Sequence, residues 1–205
     1  MIKIYTGTPG SGKSLHSLWL IQKALKEGKN VICNFPVNID KIKRRKGKYL
    51  FAQSSQITVK MLIAFARKYH EERKENQTVV VIDEASLKFN CRTYQDKDRI
   101  EFLSFFAQHR KYGYFIVLVC QNTRQLDRQI RDMIEIEVIH RKLNNFSLFR
   151  ILPFSLFVAV DYNKAIKAKN EHQYIFYRKK IAELYNTFYD FTDEANQKEG
   201  ELIVI

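Results

Sequence analysis

Ile2-Lys3-Ile4-Tyr5-Thr6-Gly7-Thr8-Pro9-Gly10-Ser11-Gly12-Lys13-Ser14 is the stretch that decides the fold. Its first five residues read as a short strand running into a Gly-rich loop. Glycines at 7, 10 and 12 let the backbone curl so that its N–H groups converge on anionic oxygens. Leu15, Leu18, Trp19 and Leu25 then recur at helical spacing, and Gly28 supplies a stop. A helix beginning near Lys13 aims its positive N-terminal end at the same point. Strand, Gly-x-x-x-x-Gly-Lys-Ser and helix together form a P-loop in the context that the motif requires.

On that reading Gly7, Thr8, Pro9, Gly10, Ser11, Gly12, Lys13, Ser14 and Leu15 hold a nucleotide, expected to be ATP with Mg²⁺. Lys13 neutralises the β- and γ-phosphates and the Ser14 hydroxyl ligates the metal. Thr78-Val79-Val80-Val81-Ile82-Asp83-Glu84 is the second decisive stretch. A near-continuous apolar run marks a strand buried on both faces of a parallel sheet. Asp83 at its end is the second expected Mg²⁺ residue. Glu84 directly after it is placed to orient and polarise an attacking water, which a hydrolase needs and a kinase must exclude. A small-molecule kinase nevertheless stays open, since such enzymes have this length and this loop, as does an adaptor that binds ATP with little turnover.

Gln121 follows a third buried strand, Tyr114 to Cys120, and emerges at the same sheet edge as Asp83. Its amide is a candidate contact for the γ-phosphate or the lytic water. Thr123 is read as the cap of a helix carrying Leu126, Ile130 and Met133, with Arg124, Arg128 and Arg131 on one face. These arginines are candidates for a finger that completes a neighbouring subunit's site, or for phosphate-backbone contacts. A solvated face paired to Asp127 or Asp132 is the alternative. Arg128 is the chosen candidate, and Arg110 a further one.

Alternating strands and helices through residue 140 predict an α/β fold with a mostly parallel central sheet flanked by helices. Helices are expected at about 58–74 and 97–112. Ile134 to Val138 alternates, and so is expected near a sheet edge. Phe146 to Leu152 and Ser155 to Asp161 flank Pro153 as an expected hairpin, followed by a helix at about 176–189. The expected organisation is a core over 1–145, the hairpin and helix over 146–191, and a polar tail over 192–205.

The 205 residues suit one domain, and a net charge of +13 favours polyanionic partners. Cys33, Cys91 and Cys120 form no paired metal spacing and imply a reducing compartment. The basic run 41–48 is a solvated loop or a contact for nucleic acid or anionic lipid. No apolar run is long enough for a membrane-spanning helix, and no leader precedes the first strand. A cytoplasmic location is therefore expected.

With these residues in place, the chain resembles the zonular occludens toxin-like family, which shares its P-loop domain with the gene I assembly proteins of filamentous phages. The resemblance is carried by the P-loop with its Lys-Ser-Leu-His continuation at 13–16, and by Val81-Ile82-Asp83-Glu84-Ala85. Gln108 to Tyr114, Gln121 to Arg128, and Ala182 to Thr187 within the segment Tyr177 to Phe191 continue it in order. It implies a RecA-like ATPase core related to FtsK/HerA-type DNA pumps, working as a hexameric ring. It also implies a role in filamentous phage assembly and extrusion with single-stranded DNA, peripheral to the inner face of the membrane. Many members continue into a transmembrane helix, whereas here a polar segment leads to Ile205, so either a soluble variant or an anchor supplied by another protein is expected.

Overall fold

The computed structural model describes residues 1–90, 96–145, 154–166, 168–185 and 203–204. Strand β1 (Ile2–Thr6) leads through the Gly-rich loop into helix α1 (Lys13–Lys26). Then come β2 (Asn30–Cys33), β3 (Tyr49–Phe51), α2 (Val59–Tyr69), β4 (Thr78–Ile82), α3 (Ala85–Lys88), α4 (Asp96–Gln108) and β5 (Tyr114–Val119). The chain continues through α5 (Arg128–Asp132), β6 (Ile136–Lys142), β7 (Leu156–Asn163), β8 (Ala168–Phe176), α6 (Lys179–Ala182) and β9 (Ile203–Val204).

All nine described strands form one sheet, in the order β8-β7-β6-β1-β5-β4-β2-β3-β9. The run from β6 to β3 is parallel, whereas β7, β8 and β9 join antiparallel. β4 is buried along its whole length. Val79 and Val81 face a core shared with Leu18, Ile21 and Leu25 of α1. Val80 and Ile82 face the opposite core, with Leu62 and Phe65 of α2 and Phe102 and Phe106 of α4. A strand covered on both faces has no polar side, and the apolar run in the sequence reflects that.

The topology puts β5 between β1 and β4. Because successive parallel strands end at the same side of the sheet, the residues after all three converge there. Tyr5 pairs with Val119, and Ile82 with Leu118. This register brings the segments beginning at Gly7, Gln121 and Asp83 side by side.

Several expectations are corrected. β6 is an interior strand, third from the β8 edge and flanked by β1 and β7. Its alternation reflects one apolar face on the α1 side rather than a missing neighbour. The hairpin is formed by 156–163 with 168–176, later than expected, and residues 146–153 lie outside the described residues. The described C-terminal helix is the short α6; residues 186–189 fall outside. Asp127 breaks the helix expected from Thr123. Its carboxylate accepts from the N–H groups of Gln129 and Ile130 and starts α5 there, leaving Thr123–Gln125 as a separate 3₁₀ turn. Arg124 therefore does not share a helix face with Arg128 and Arg131. β3 was not anticipated, because Lys41 to Lys48 obscures its start. Ile203–Val204 pair with β3 instead of trailing in a polar tail. Cys91 and the rest of 192–205 lie outside the described residues.

Candidate nucleotide-binding and catalytic site

Gly7 and Gly12 show why glycine is needed in the loop. A Cβ at Gly7 would stand 2.5 Å from the His140 carbonyl oxygen and 2.7 Å from Ser11 Oγ. Gly12, at φ +96°, lies under Phe157, whose ring would be 2.8 Å from a Cβ there. The Gly7 N–H donates to the Gln121 carbonyl at 3.4 Å, which ties the loop to the end of β5. The His16 N–H donates to the Gly12 carbonyl at 3.0 Å as α1 begins. Ser11 Oγ is buried and has no hydrogen-bond partner among the described residues. An orphaned hydroxyl inside a Gly-rich cradle fits a loop shaped for an anion.

Lys13 is buried, and its ammonium donates to the Gly7 and Thr8 carbonyls at 2.8 and 3.1 Å. Burial lowers its pKa, while the carboxylates of Asp83 and Glu84 pull it back up. Lys13 thus faces the end of β4 across the cradle. The Asp83 carboxyl is pushed up to about 6, chiefly by burial. The Glu84 N–H, at 2.9 Å, and the Ser14 hydroxyl both bond to it and work against that rise. Ser14 and Asp83 are therefore in contact, an oxygen pair suited to a hard cation such as Mg²⁺.

Glu84 sits at φ 45°, ψ 45°, in the left-handed region, where a residue with a long side chain is uncommon. Its carbonyl accepts from the Leu87 N–H at 2.8 Å and turns the chain into α3. Strained backbone directly after the buried aspartate is the kind of outlier that clusters at functional sites.

Asn34 was not anticipated. It is fully buried at the end of β2, and its Oδ1 accepts from the Asp83 N–H at 2.7 Å. Its Nδ2 donates to the Asp83 carbonyl at 2.9 Å and to Ser54 Oγ at 2.8 Å. Phe157 was also missed, as was the buried contact between His16 Nδ1 and His140 Nε2 at 2.8 Å. Neither could be found from local spacing, because the sheet register creates both.

Gln121 is exposed beside the loop. Arg128 is 85 % exposed and pairs with Asp132 at 4.0 Å within its own helix. Arg110 pairs with Glu75 at 3.2 Å. Of the basic run, the Lys46 and Gly47 N–H groups bond the Leu25 carbonyl at the C-terminal end of α1, away from the P-loop.

The profile of the family described as Zonular occludens toxin (Zot) matches residues 1–190. The chain belongs to the Zot family. The Gene 1 protein of Escherichia phage If1 is 26% identical over 155 residues, which cover 72% of this Zot-family chain and 43% of that protein. The chain thus spans less than half the length of the curated relatives it matches. Among solved structures, the N-terminal domain of zonular occludens toxin from Neisseria meningitidis aligns with a TM-score of 0.54 at 18% identity, covering 90% of this chain and 98% of that one. The genome packaging NTPase B204 from Sulfolobus turreted icosahedral virus 2, in complex with ATP-gammaS, aligns with a TM-score of 0.57 at 14% identity. That match covers 84% of this chain and 96% of B204. The fold of this Zot-family chain is that of the P-loop NTPases. Among its described residues no helix is long and apolar enough to cross a membrane.

Proposed function

We propose that this chain is the ATPase portion of a filamentous phage assembly motor, hydrolysing ATP to move single-stranded DNA or the assembling particle. The observation that carries the reading is Glu84, held at a left-handed φ next to the buried Asp83 and across the cradle from Lys13. A carboxylate so held orients a water against the γ-phosphate and takes its proton as the oxygen bonds to phosphorus. The bond to the β–γ bridging oxygen breaks and ADP leaves. Lys13 and the loop N–H groups stabilise the charge that develops on the phosphate oxygens. Mg²⁺, held by Ser14 and Asp83, would neutralise phosphate charge when bound. Gln121 contacts the γ-phosphate or the water.

The exposed Arg128 serves as a finger toward a neighbouring copy, which makes a hexameric ring the working form. The ring operates at the inner face of the membrane, with a membrane-anchored partner or phage assembly components. This part of the reading leans on the Gene 1 relatives, and on B204 as a genome packaging NTPase.

ATP turnover measured with and without single-stranded DNA, and with nucleoside monophosphates, tests the proposal. DNA should stimulate hydrolysis, and Glu84→Gln should abolish turnover while ATP still binds. ADP formation that depends on a monophosphate acceptor and ignores DNA would establish a kinase instead. Unchanged turnover in Glu84→Gln would remove Glu84 from the mechanism.

A further inference from the structure

The P-loop accounts for the phosphates of a nucleotide and leaves its base unassigned. A groove of about 420 Å³ runs from the loop, past Leu15 and Leu18 of α1, to Phe157, Tyr177 and Tyr185. The three rings come from separate C-terminal segments: Phe157 from β7, Tyr177 directly after β8, and Tyr185 three residues past α6. Phe157 is 7 % exposed and fixed against Gly12. The Tyr185 ring stands edge-on to Phe35, with centroids 5.3 Å apart. Tyr177 is 50 % exposed, while its N–H is anchored to the Ser155 carbonyl at 3.0 Å. Its backbone is therefore held and its ring remains accessible.

The chemistry of the lining is as informative as its shape. Among the described residues of the groove there is no carboxylate and no carboxamide side chain. Its polar side chains other than the tyrosine hydroxyls are Ser11, Lys13 and Ser14, all at the phosphate end. Telling adenine from guanine requires donors and acceptors matched to the base edge, and an apolar pocket discriminates weakly. An aromatic wall offers stacking, which every base accepts.

We infer that this groove is a base-stacking platform supplied by the C-terminal segment, with Tyr177 as its accessible ring, and that the site takes purine nucleoside triphosphates without selecting adenine over guanine. The inference rests on the P-loop reading above and extends it from the phosphates to the base. It also gives the C-terminal hairpin a role in the site, since β7 and β8 carry two of the three rings to the loop.

Calorimetric titration with ATP, GTP and inorganic tripolyphosphate in the presence of Mg²⁺ tests it. ATP and GTP should bind within about tenfold of each other, and tripolyphosphate roughly tenfold or more weaker than either, the scale of one stacked base. Tyr177→Ala should weaken both nucleotides by about tenfold and leave tripolyphosphate unchanged, while Tyr177→Phe behaves as wild type. A preference between ATP and GTP above tenfold overturns the inference, because it demands a hydrogen-bonding reader. So does tripolyphosphate binding as tightly as ATP, or a Tyr177→Ala variant that weakens all three ligands equally or none. Failure of the underlying P-loop reading has a different signature: neither nucleotide nor tripolyphosphate binds, or Lys13→Ala binds them as wild type does.

Discussion

Asn34 and Asp83 grip each other through two reciprocal hydrogen bonds, the Asp83 N–H to Asn34 Oδ1 at 2.7 Å and Asn34 Nδ2 to the Asp83 carbonyl at 2.9 Å. They follow neighbouring parallel strands in which Cys33 is paired with Val81. A side-chain amide thus continues the sheet ladder one step past its end, so the carboxylate leaves β4 on a backbone that cannot swing. Asn34→Leu keeps the volume and removes both bonds, leaving two buried backbone groups short of a partner. A loss of about 3 kcal/mol, or roughly 6–12 °C in Tm, is expected. If Asn34 positions Asp83, kcat falls at least tenfold at temperatures where the variant stays folded. Lower Tm with wild-type kcat would make Asn34 a purely structural residue.

Gly10 and Gly12 are both left-handed, at φ +72° and +96°, yet their surroundings differ. A Cβ at Gly10 meets nothing within 4 Å, whereas one at Gly12 meets the Phe157 ring at 2.8 Å. Gly10→Ala should therefore cost only the backbone strain, about 1–2 kcal/mol. Gly12→Ala should cost more, and should also shift β7 and weaken nucleotide binding. Adding Phe157→Ala should recover only part of the loss, since the φ remains. Thermal melts and ATP titrations of the three variants check this, and equal penalties at Gly10 and Gly12 would contradict it.

The two glycines also show what the sequence could and could not convey. The P-loop and β4 were legible because their physics is local: a turn needs glycines at fixed spacing, and a strand covered on both faces needs an unbroken apolar run. Phe157 over Gly12 and Asn34 beside Asp83 arise from register and strand order, which no window of sequence contains. β6 misled for a related reason, since Ile136-Glu137-Val138 records how many faces are covered and not how many neighbours a strand has. The broken helix at Asp127 was in principle readable, because aspartate outranks threonine as a helix cap.

Glu84 carries strain that its chemistry accounts for. At φ 45° a glutamate sits about 1–2 kcal/mol above a right-handed residue, while glycine pays no such penalty. Glu84→Gly should consequently leave Tm unchanged or raise it, even as turnover falls to background. That opposite movement of stability and activity identifies a residue retained for function. A clear drop in Tm would show that the Glu84 side chain stabilises the fold, against the assignment.

His140 sets a limit on acid tolerance. Its Nδ1 lies 3.2 Å from the Thr6 carbonyl and 3.1 Å from that of Val138, so the proton belongs on Nδ1 and Nε2 accepts from His16 Nδ1 at 2.8 Å. Both rings are neutral in this arrangement. Burial pushes His140 down to about 4, against its bonds to the Thr6 and Val138 carbonyls, and burial, with repulsion from a protonated His140 and from Lys3 adding to it, pushes His16 to about 3. In the unfolded chain an imidazole protonates near pH 6.5. Between that value and about 4 the unfolded state binds more protons at His140 than the native state does. His140 thus favours the fold fully above about pH 7, and that contribution is lost as pH falls, by at most about 1.4 kcal/mol per unit. The contribution of His140 to Tm should be flat from pH 7 to 8 and decline below 6.5. Asp83 titrates in the opposite sense, its raised pKa favouring the fold as pH falls, so the wild-type curve alone is ambiguous. His140→Asn keeps a donor for the Thr6 carbonyl and cannot titrate. The difference between the two Tm–pH curves isolates the histidine, and parallel curves from pH 7 to 4.5 would show that it does not govern the acid limit.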